Sequence, residues 1–369
     1  MTRCTMANPS SERGLTHIVI CTLLLSAAFL SRVSYGQETG LKSSKFPPPN
    51  AIFAFGDSYL DTGNHNHSAG VNRPWLAPYG RTYPGTPTGR FSDGRVFTDV
   101  FASALQMLSP IAYERRLSDP NAPKHGMNFA VGGAGVFSSY GILNLGGQVD
   151  QFQSLLNTIY PTAFLENSVV LVGIHGNDYG AYLVKGNPIS GLPMFQKLVV
   201  DEMVRQIERL NKLGFKTFYI NNMQPVGCLP SSTRPTFNEC NEVTDSIMSV
   251  PHNSLLETAV ADLKQRLPAS TFSLLDHYSA FNTVLRTPAN SGLSAHPLVP
   301  CCLGEGNATR SCGEVAPNGK AMFTVCDDPK KSFFWDTIHP SQSGWTAVTK
   351  LLFPDADLEP FQSSKERQS

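Results

Sequence analysis

Residues 51–58 read Ala-Ile-Phe-Ala-Phe-Gly-Asp-Ser, a strand pattern that leads directly into a candidate reactive serine. Its first five residues form a continuous apolar run that predicts a buried strand. A Gly-Asp-Ser turn after that strand would place the Ser58 hydroxyl at the carboxyl end of the strand, where open α/β sheets bind their ligands. An isolated serine at such a place is most often the N-cap of a helix. A chemical role for Ser58 therefore needs support from the rest of the chain.

Downstream of Ser58, apolar runs alternate with segments of helical periodicity. Strands are predicted at 128–131, which leads into a glycine-rich turn, and at 168–174, 217–220 and 271–275. Helices are predicted at 98–108, 195–213, 254–267 and 341–352. This alternation indicates an α/β fold, a three-layer αβα sandwich with a central parallel sheet between two helix layers. The stretch 73–94, rich in Gly, Pro and aromatic residues, is predicted to be irregular, and an insertion rich in Cys, Gly and Pro spans about 290–330.

The sequence Asp-Thr-Ile-His-Pro at 336–340 spaces a carboxylate and an imidazole three residues apart. On a single turn this spacing points both side chains the same way. Asp336 can then hold one ring nitrogen of His339 while the other nitrogen faces outward. A serine, a histidine and an orienting carboxylate are the groups that acyl transfer requires. Asp327 and Asp328 are the alternative orienting residues, but they lie eleven or more residues from His339 and are interpreted as turn residues.

Two other predicted strand ends carry groups that suit an oxyanion hole. Gly133 lies in the turn after strand 128–131, and Asn177 follows strand 168–174. In a doubly wound sheet these ends meet at one edge. Glycine lets a backbone N–H approach a ligand closely, and an asparagine amide donates hydrogen bonds. With the N–H of Ser58, these groups predict a three-donor oxyanion hole. Dinucleotide binding by the glycine cluster is disfavoured, since it lacks GxGxxG spacing.

Composition and the N-terminus limit the partners and the compartment. The chain has 29 acidic and 29 basic residues, so it has no electrostatic footprint for nucleic acid. Residues 1–36 combine early arginines, an apolar stretch and small residues, the pattern of a secretory signal peptide. A membrane anchor is the alternative, which the short apolar core disfavours. We expect an N-terminal extension at 37–49, one domain at 50–353, a polar tail at 354–369 and no stable membrane insertion.

Six cysteines follow residue 36, and in an oxidising compartment an even number predicts disulfide bonds. Cys228 and Cys240, which flank a loop rich in Pro, Ser and Thr, are predicted to form one bond, and the other pairings stay open. Zinc binding is the alternative, but the chain has no CxxC pair, and no histidines lie at ligand spacing beside the cysteines. Glycosylation sequons at Asn66 and Asn307 fit the same compartment. No metal and no other cofactor are predicted.

Over residues 50 to 353 the chain resembles the plant-type GDSL esterases/lipases of the SGNH hydrolase superfamily. Four blocks carry the resemblance in the family's order: 55–58 with 61–64, 128–130 with 132–133, 176–178, and 336–340. The resemblance implies a flavodoxin-like SGNH hydrolase fold, with Ser58 as nucleophile, His339 as base and Asp336 as its orienting residue. It also implies Ser58, Gly133 and Asn177 as oxyanion donors. The chain has no GxSxG elbow, which argues against the α/β-hydrolase fold.

The chain departs from the family pattern at two positions. Tyr59 stands where a leucine usually follows the nucleophile, and this change is expected to affect packing more than chemistry. His175 stands where a glycine usually lies two residues before the block asparagine. His175 is interpreted as a wall residue of the pocket, with a second base as the alternative. The other histidines, such as His252, His277 and His296, have no matching context and are interpreted as core or surface residues.

These observations predict a secreted hydrolase of carboxylic esters, located in the cell wall space if the source is a plant. Ser58 would attack the ester carbonyl, and water assisted by His339 would resolve the acyl-enzyme. The substrate would be a small-molecule or lipid ester. Acyl transfer to an alcohol through the same intermediate is one alternative, and an inactive secreted binding protein is another. The sequence leaves the substrate and the oligomeric state open.

Overall fold

A computed structural model of the chain describes residues 49–65, 73–118, 122–306 and 310–358. The predicted signal peptide, most of the predicted extension, the two glycosylation sequons and most of the polar tail lie outside the described residues.

The described residues contain eight strands and ten α-helices, numbered in chain order. The strands are β1 Ile52–Gly56, β2 Ile111–Ala112, β3 Gly126–Asn128, β4 Val169–Gly173, β5 Thr217–Asn221, β6 Thr271–Leu275, β7 Cys302–Gly304 and β8 Phe323–Val325. The helices are α1 Phe97–Ala104, α2 Leu145–Ser154, α3 Thr162–Glu166, α4 Asn177–Val184, α5 Leu192–Lys212, α6 Pro230–Thr233, α7 Glu242–Ile247, α8 Ser249–Arg266, α9 His277–Arg286 and α10 Gln342–Leu352. Short 3₁₀ helices lie at Arg73–Trp75, Tyr113–Arg115, Ala122–His125, Ile189–Gly191, Val226–Cys228, Pro288–Ser291 and Pro329–Lys331.

The central sheet has six strands in the order β2-β3-β1-β4-β5-β6. Every neighbouring pair in it is parallel. β1 lies inside the sheet, with Ile52 opposite Gly126 on one side and opposite Val169 on the other. The chain adds strands on the β3 side of β1 first and then crosses to β4, so the switch in strand order lies beside β1. Such a switch point is where open α/β sheets bind ligands. The predicted parallel sheet is confirmed.

Helices cover both faces of the sheet. Successive side chains of β1 point to opposite faces, so this apolar strand contributes to a hydrophobic core on each side. Phe53 and Phe55 belong to the core that includes α2, α5 and α8. Ile52 and Ala54 belong to the core on the other face, with α1, α9 and α10. Burial of one such phenylalanine contributes about 2–3 kcal/mol. The predicted three-layer α/β architecture is confirmed, and β1 is one of the two central strands of its sheet.

Some element boundaries differ from the prediction. β3 begins two residues before the predicted strand 128–131, although the N–H of Phe129 still donates to the Ala54 carbonyl. Six helices in the described residues were not predicted: α2, α3, α4, α6, α7 and α9. α2 contains the pair Gly146-Gly147, and glycine is a poor helix former. It nevertheless forms, since Asn144 caps it and Gln148 bonds to the backbone of Gly56.

The cysteine-rich part of the chain is cross-linked by three disulfide bonds. Cys228 pairs with Cys240, as predicted. The remaining pairs are Cys301–Cys326 and Cys302–Cys312. All six sulfur atoms are thus used, so no thiolate remains for the zinc alternative. The backbone N–H groups of Cys301 and Cys302 donate to the carbonyls of Phe334 and Trp335, which anchors the insertion beside Asp336.

Within the part of the chain that the structure describes, no helix combines the length and the apolar character needed to cross a membrane.

Candidate active site

Ser58 lies in a tight turn directly after β1. The carbonyl of Asp57 accepts hydrogen bonds from the N–H groups of Leu60 and Asp61, both at 3.0 Å. Gly56 starts the turn with φ +154°, and a Cβ on it would lie 2.1 Å from the Gly173 carbonyl oxygen. A side chain at position 56 would therefore displace β4, so glycine is required there. The turn leaves Ser58 8% exposed at the carboxyl edge of the sheet.

A continuous hydrogen-bonded line joins Ser58, His339 and Asp336. The Nε2 atom of His339 lies 2.9 Å from the Ser58 Oγ, and its Nδ1 lies 2.9 Å from each carboxylate oxygen of Asp336. Asp336 Oδ1 also accepts the N–H groups of Ile338 and His339, both at 2.8 Å. These local bonds shape the turn that points both side chains to one side, as the three-residue spacing predicts.

The surroundings of Asp336 favour its charged form. Burial alone favours the neutral acid, but the interaction with His339 and the hydrogen bonds that the carboxylate accepts outweigh burial and hold the pKa of Asp336 below its ordinary value. The hydroxyl of Tyr79 donates to Asp336 Oδ2 at 2.7 Å. Burial, followed by the Asp336 charge, raises the pKa of Tyr79 well above its ordinary value, so the hydroxyl keeps its proton.

Sequence reasoning missed Tyr79. It lies in the stretch 73–94, and 257 residues separate it from Asp336, so no local spacing signals the contact. The two alternative orienting residues, Asp327 and Asp328, are exposed. Asp328 caps a 3₁₀ helix by accepting the N–H of Lys330 at 3.1 Å. Their interpretation as turn residues agrees with this geometry.

The loop that contains Gly133 is held from two sides by buried carboxylates. Asp61 Oδ2 accepts the N–H of Gly132 at 2.8 Å. The carboxylate of Asp178 accepts the N–H groups of Val136 and Phe137 at 2.9 and 3.0 Å. Asp61 and Asp178 lie in the blocks 61–64 and 176–178 that carry the family resemblance, but the sequence analysis predicted no role for either carboxylate. Together they clamp the loop next to the Ser58 turn.

Asn177, the first residue of α4, bridges this loop and the Ser58 turn. Its Nδ2 donates to the Ala134 carbonyl at 3.0 Å and lies 3.5 Å from Asp57 Oδ2. Gly133 has φ +86°, a left-handed conformation that favours glycine. The backbone N–H groups of Ser58 and Gly133 have no acceptor among residues 49–65, 73–118, 122–306 and 310–358. The predicted donors therefore lie on adjoining segments, and two of them are unused.

His175, interpreted from the sequence as a pocket-wall residue, is buried, and its ring meets the Ser58 turn through Asp57. Its side chain is 2% exposed, and its Nδ1 lies 3.0 Å from Asp57 Oδ1. Its Nε2 is buried and has no hydrogen-bond partner in the described part of the chain. The imidazole that bonds to Ser58 Oγ is that of His339, so the structure gives the second-base alternative for His175 no support. The remaining histidines fit their expectation, since His252 and His277 are buried in the core and His296 is exposed.

The family model described as GDSL-like Lipase/Acylhydrolase matches residues 52–352. The chain belongs to the GDSL-like lipase/acylhydrolase family. Family membership makes it a carboxylic ester hydrolase.

Three curated relatives illustrate the range of similarity within the family. A GDSL esterase/lipase of Arabidopsis thaliana is 42% identical, and the match covers 89% of this chain and 93% of the relative. A second GDSL esterase/lipase of that plant is 40% identical, with 91% and 94% covered. Acetylajmalan esterase 1 of Rauvolfia serpentina is 27% identical, with 83% and 86% covered.

Proposed function

We propose that this GDSL-family protein is a secreted serine hydrolase that cleaves carboxylic esters through an acyl-enzyme intermediate. The observation that carries the proposal is the contact of 2.9 Å between His339 Nε2 and Ser58 Oγ, with Asp336 bonded to the other ring nitrogen. This is the geometry that a serine nucleophile and its general base require.

Acylation begins when Ser58 Oγ attacks the ester carbonyl and passes its proton to His339 Nε2. The carbonyl oxygen becomes an oxyanion, which accepts hydrogen bonds from the N–H of Ser58, the N–H of Gly133 and the amide of Asn177. The tetrahedral intermediate then expels the alcohol, which takes the proton from His339. Water repeats the sequence on the acyl-enzyme and releases the acid, with His339 again acting first as base and then as acid.

Asp336 supports both half-reactions by stabilising the imidazolium of His339. Since its pKa is lowered, the carboxylate remains charged at about pH 5, above the ordinary aspartate value of about 3.9. Tyr79 fixes the second oxygen of this carboxylate. The base is thus held in the tautomer that presents Nε2 to Ser58 as a proton acceptor.

Secretion is part of the proposal and is supported by several features. All six cysteines after residue 36 form disulfide bonds, which persist in oxidising compartments. The N-terminal pattern and the sequons at Asn66 and Asn307 agree with that compartment. We propose both asparagines as glycosylation sites, and the cell wall space as the location in a plant. The substrate would be a small-molecule or lipid ester.

A panel of nitrophenyl esters with acetyl, butyryl, octanoyl and palmitoyl chains tests the function. We expect a burst of about one nitrophenolate per active site, followed by slower turnover, because an acyl-enzyme forms before it is hydrolysed. Repeating the assay with glycerol distinguishes acyl transfer, which would yield glycerol ester in place of free acid. Absence of turnover on every ester, with the protein folded, would support an inactive binding protein instead.

Asn177→Ala is expected to lower kcat roughly a hundredfold while KM changes less than about threefold, since an oxyanion donor is worth about 3 kcal/mol in the transition state. Asn187→Ala is the matched control, because Asn187 lies beyond α4 and its amide donates to the Tyr182 carbonyl. Steady-state kinetics on nitrophenyl butyrate measure both. A rise in KM with unchanged kcat would make Asn177 a ground-state binding residue.

A further inference from the structure

The two positions that depart from the family pattern contact each other. The rings of Tyr59 and His175 lie 4.7 Å apart between centroids, at 31°. Both residues are buried, at 2% and 7% exposure. Tyr59 directly follows Ser58 in the turn after β1, and His175 lies two residues before Asn177 in the segment after β4. The pair therefore joins the segment of the nucleophile to the segment of an oxyanion donor.

Tyr59 also reaches the turn that contains His339. Its hydroxyl donates to the Ile338 carbonyl at 2.9 Å, and its ring meets the His339 ring edge-on at 5.9 Å. Burial, and then the charges of Asp57 and Asp336, raise the pKa of Tyr59 well above its ordinary value, so the hydroxyl remains a donor. Ile338 directly precedes His339. Because Tyr59 is bonded along the chain to Ser58, this contact ties the position of the base to that of the nucleophile.

His175 holds the other half of the site through Asp57. Asp57 Oδ2 accepts the backbone N–H of His175 at 2.7 Å, and Oδ1 lies 3.0 Å from His175 Nδ1. Oδ1 also accepts the N–H of Tyr59 at 3.1 Å. The ring of His277 stacks on that of His175 at 5.7 Å and 11°. His175 therefore packs against two rings, with its Nδ1 directed at the carboxylate that shapes the nucleophile turn.

We propose that Tyr59 and His175 form one positioning unit, which sets the distance from Ser58 to His339 and the approach of Asn177 to the oxyanion. Within the described residues, neither side chain is hydrogen-bonded to Ser58, His339 or Asn177, so both act through the segments that hold those residues. The inference rests on the proposed roles of Ser58, His339 and Asn177. It goes beyond them, because it assigns a share of the rate to two residues outside the triad and the oxyanion hole.

Four variants test the unit. Tyr59→Phe keeps the ring and removes the hydroxyl, and His175→Phe keeps a ring and removes the donor to Asp57. His175→Asn returns a donor near the Nδ1 position without the ring. Tyr179→Phe is the matched control, since Tyr179 is equally buried and its hydroxyl bonds to His252 rather than to the turn that contains His339. For each variant we would measure kcat and KM on nitrophenyl butyrate and the rate at which a fluorophosphonate labels Ser58.

We expect Tyr59→Phe to lower kcat and the labelling rate about tenfold, with KM changed less than about twofold, because a displacement of about 1 Å in a reacting group costs up to about a hundredfold in rate. Tyr179→Phe should change each value less than about twofold. His175→Phe should match the loss of Tyr59→Phe, and His175→Asn should recover most of it. In the double variant Tyr59→Phe/His175→Phe, the loss should stay well below the product of the single losses, since both remove the same alignment.

Two results would overturn the inference: a Tyr59→Phe enzyme as active as the Tyr179→Phe control, or single losses that multiply in the double variant. The Ser58→Ala protein separates this failure from failure of the proposed function. If Ser58→Ala is inactive and Tyr59→Phe is normal, only the positioning unit is wrong. If Ser58→Ala keeps its turnover, the mechanism on which the unit depends is wrong.

Discussion

Ser58→Ala is expected to lower kcat by about 10³-fold to 10⁶-fold, the range seen when a catalytic nucleophile of this type is removed. No acyl-enzyme can form without the Ser58 hydroxyl. The hydroxyl makes its hydrogen bond to His339 Nε2 and belongs to no hydrophobic cluster of the described residues. The fold should therefore survive the substitution, and the remaining rate would come from the oxyanion donors and from substrate binding.

Turnover of nitrophenyl butyrate and the thermal midpoint of unfolding check this result together. Ser103→Ala is a suitable control, because Ser103 is a buried serine of α1 whose hydroxyl bonds to the Asp99 carbonyl. It should lose little activity. If a folded Ser58→Ala protein hydrolysed esters at the wild-type rate, Ser58 would not be the nucleophile.

Asp336→Asn is expected to lower kcat about 10⁴-fold with little change in KM, as in other triads whose carboxylate becomes an amide. Oδ1 of the new side chain would continue to accept the N–H groups of Ile338 and His339. Its NH₂ group would then face His339 Nδ1 and donate to it. That arrangement puts the imidazole proton on Nε2, where it faces Ser58 and prevents the ring from accepting the serine proton. The amide also cannot stabilise the imidazolium.

Asp328→Asn and Asp327→Asn serve as controls, because both carboxylates are exposed and Asp328 caps a 3₁₀ helix. They should retain nearly full kcat. The pH dependence of kcat for Asp336→Asn, together with the rate at which fluorophosphonate labels Ser58, shows whether the loss lies in activation of the nucleophile. If either control lost more activity than Asp336→Asn, the assignment of Asp336 as the orienting residue would be wrong.

The two halves of the proposed site differ in how far the sequence predicts them. The pairing of Asp336 with His339 follows from three-residue spacing, since the backbone N–H groups of the same turn bind Asp336. The contact of His339 with Ser58 spans 281 residues and was inferred from the order of strands and from the family resemblance. The partner of the His175 ring is Asp57, 118 residues away, and no sequence pattern predicted that contact.

The elements that the sequence predicts correctly are those whose burial follows from the apolar pattern of a single segment. The β1 run, the alternation of strands with helices and the cysteine pair at 228 and 240 could all be predicted, because apolar periodicity and local spacing act within one segment. Three contacts are visible only in the folded structure. They are the hydrogen bonds of Tyr79 with Asp336, of Tyr59 with Ile338 and of Gln148 with Gly56. A polar side chain bonds to whichever donor or acceptor the folded chain brings within about 3 Å. The residue pattern of one segment does not specify which other segment will pack against it, so such contacts cannot be predicted from that pattern.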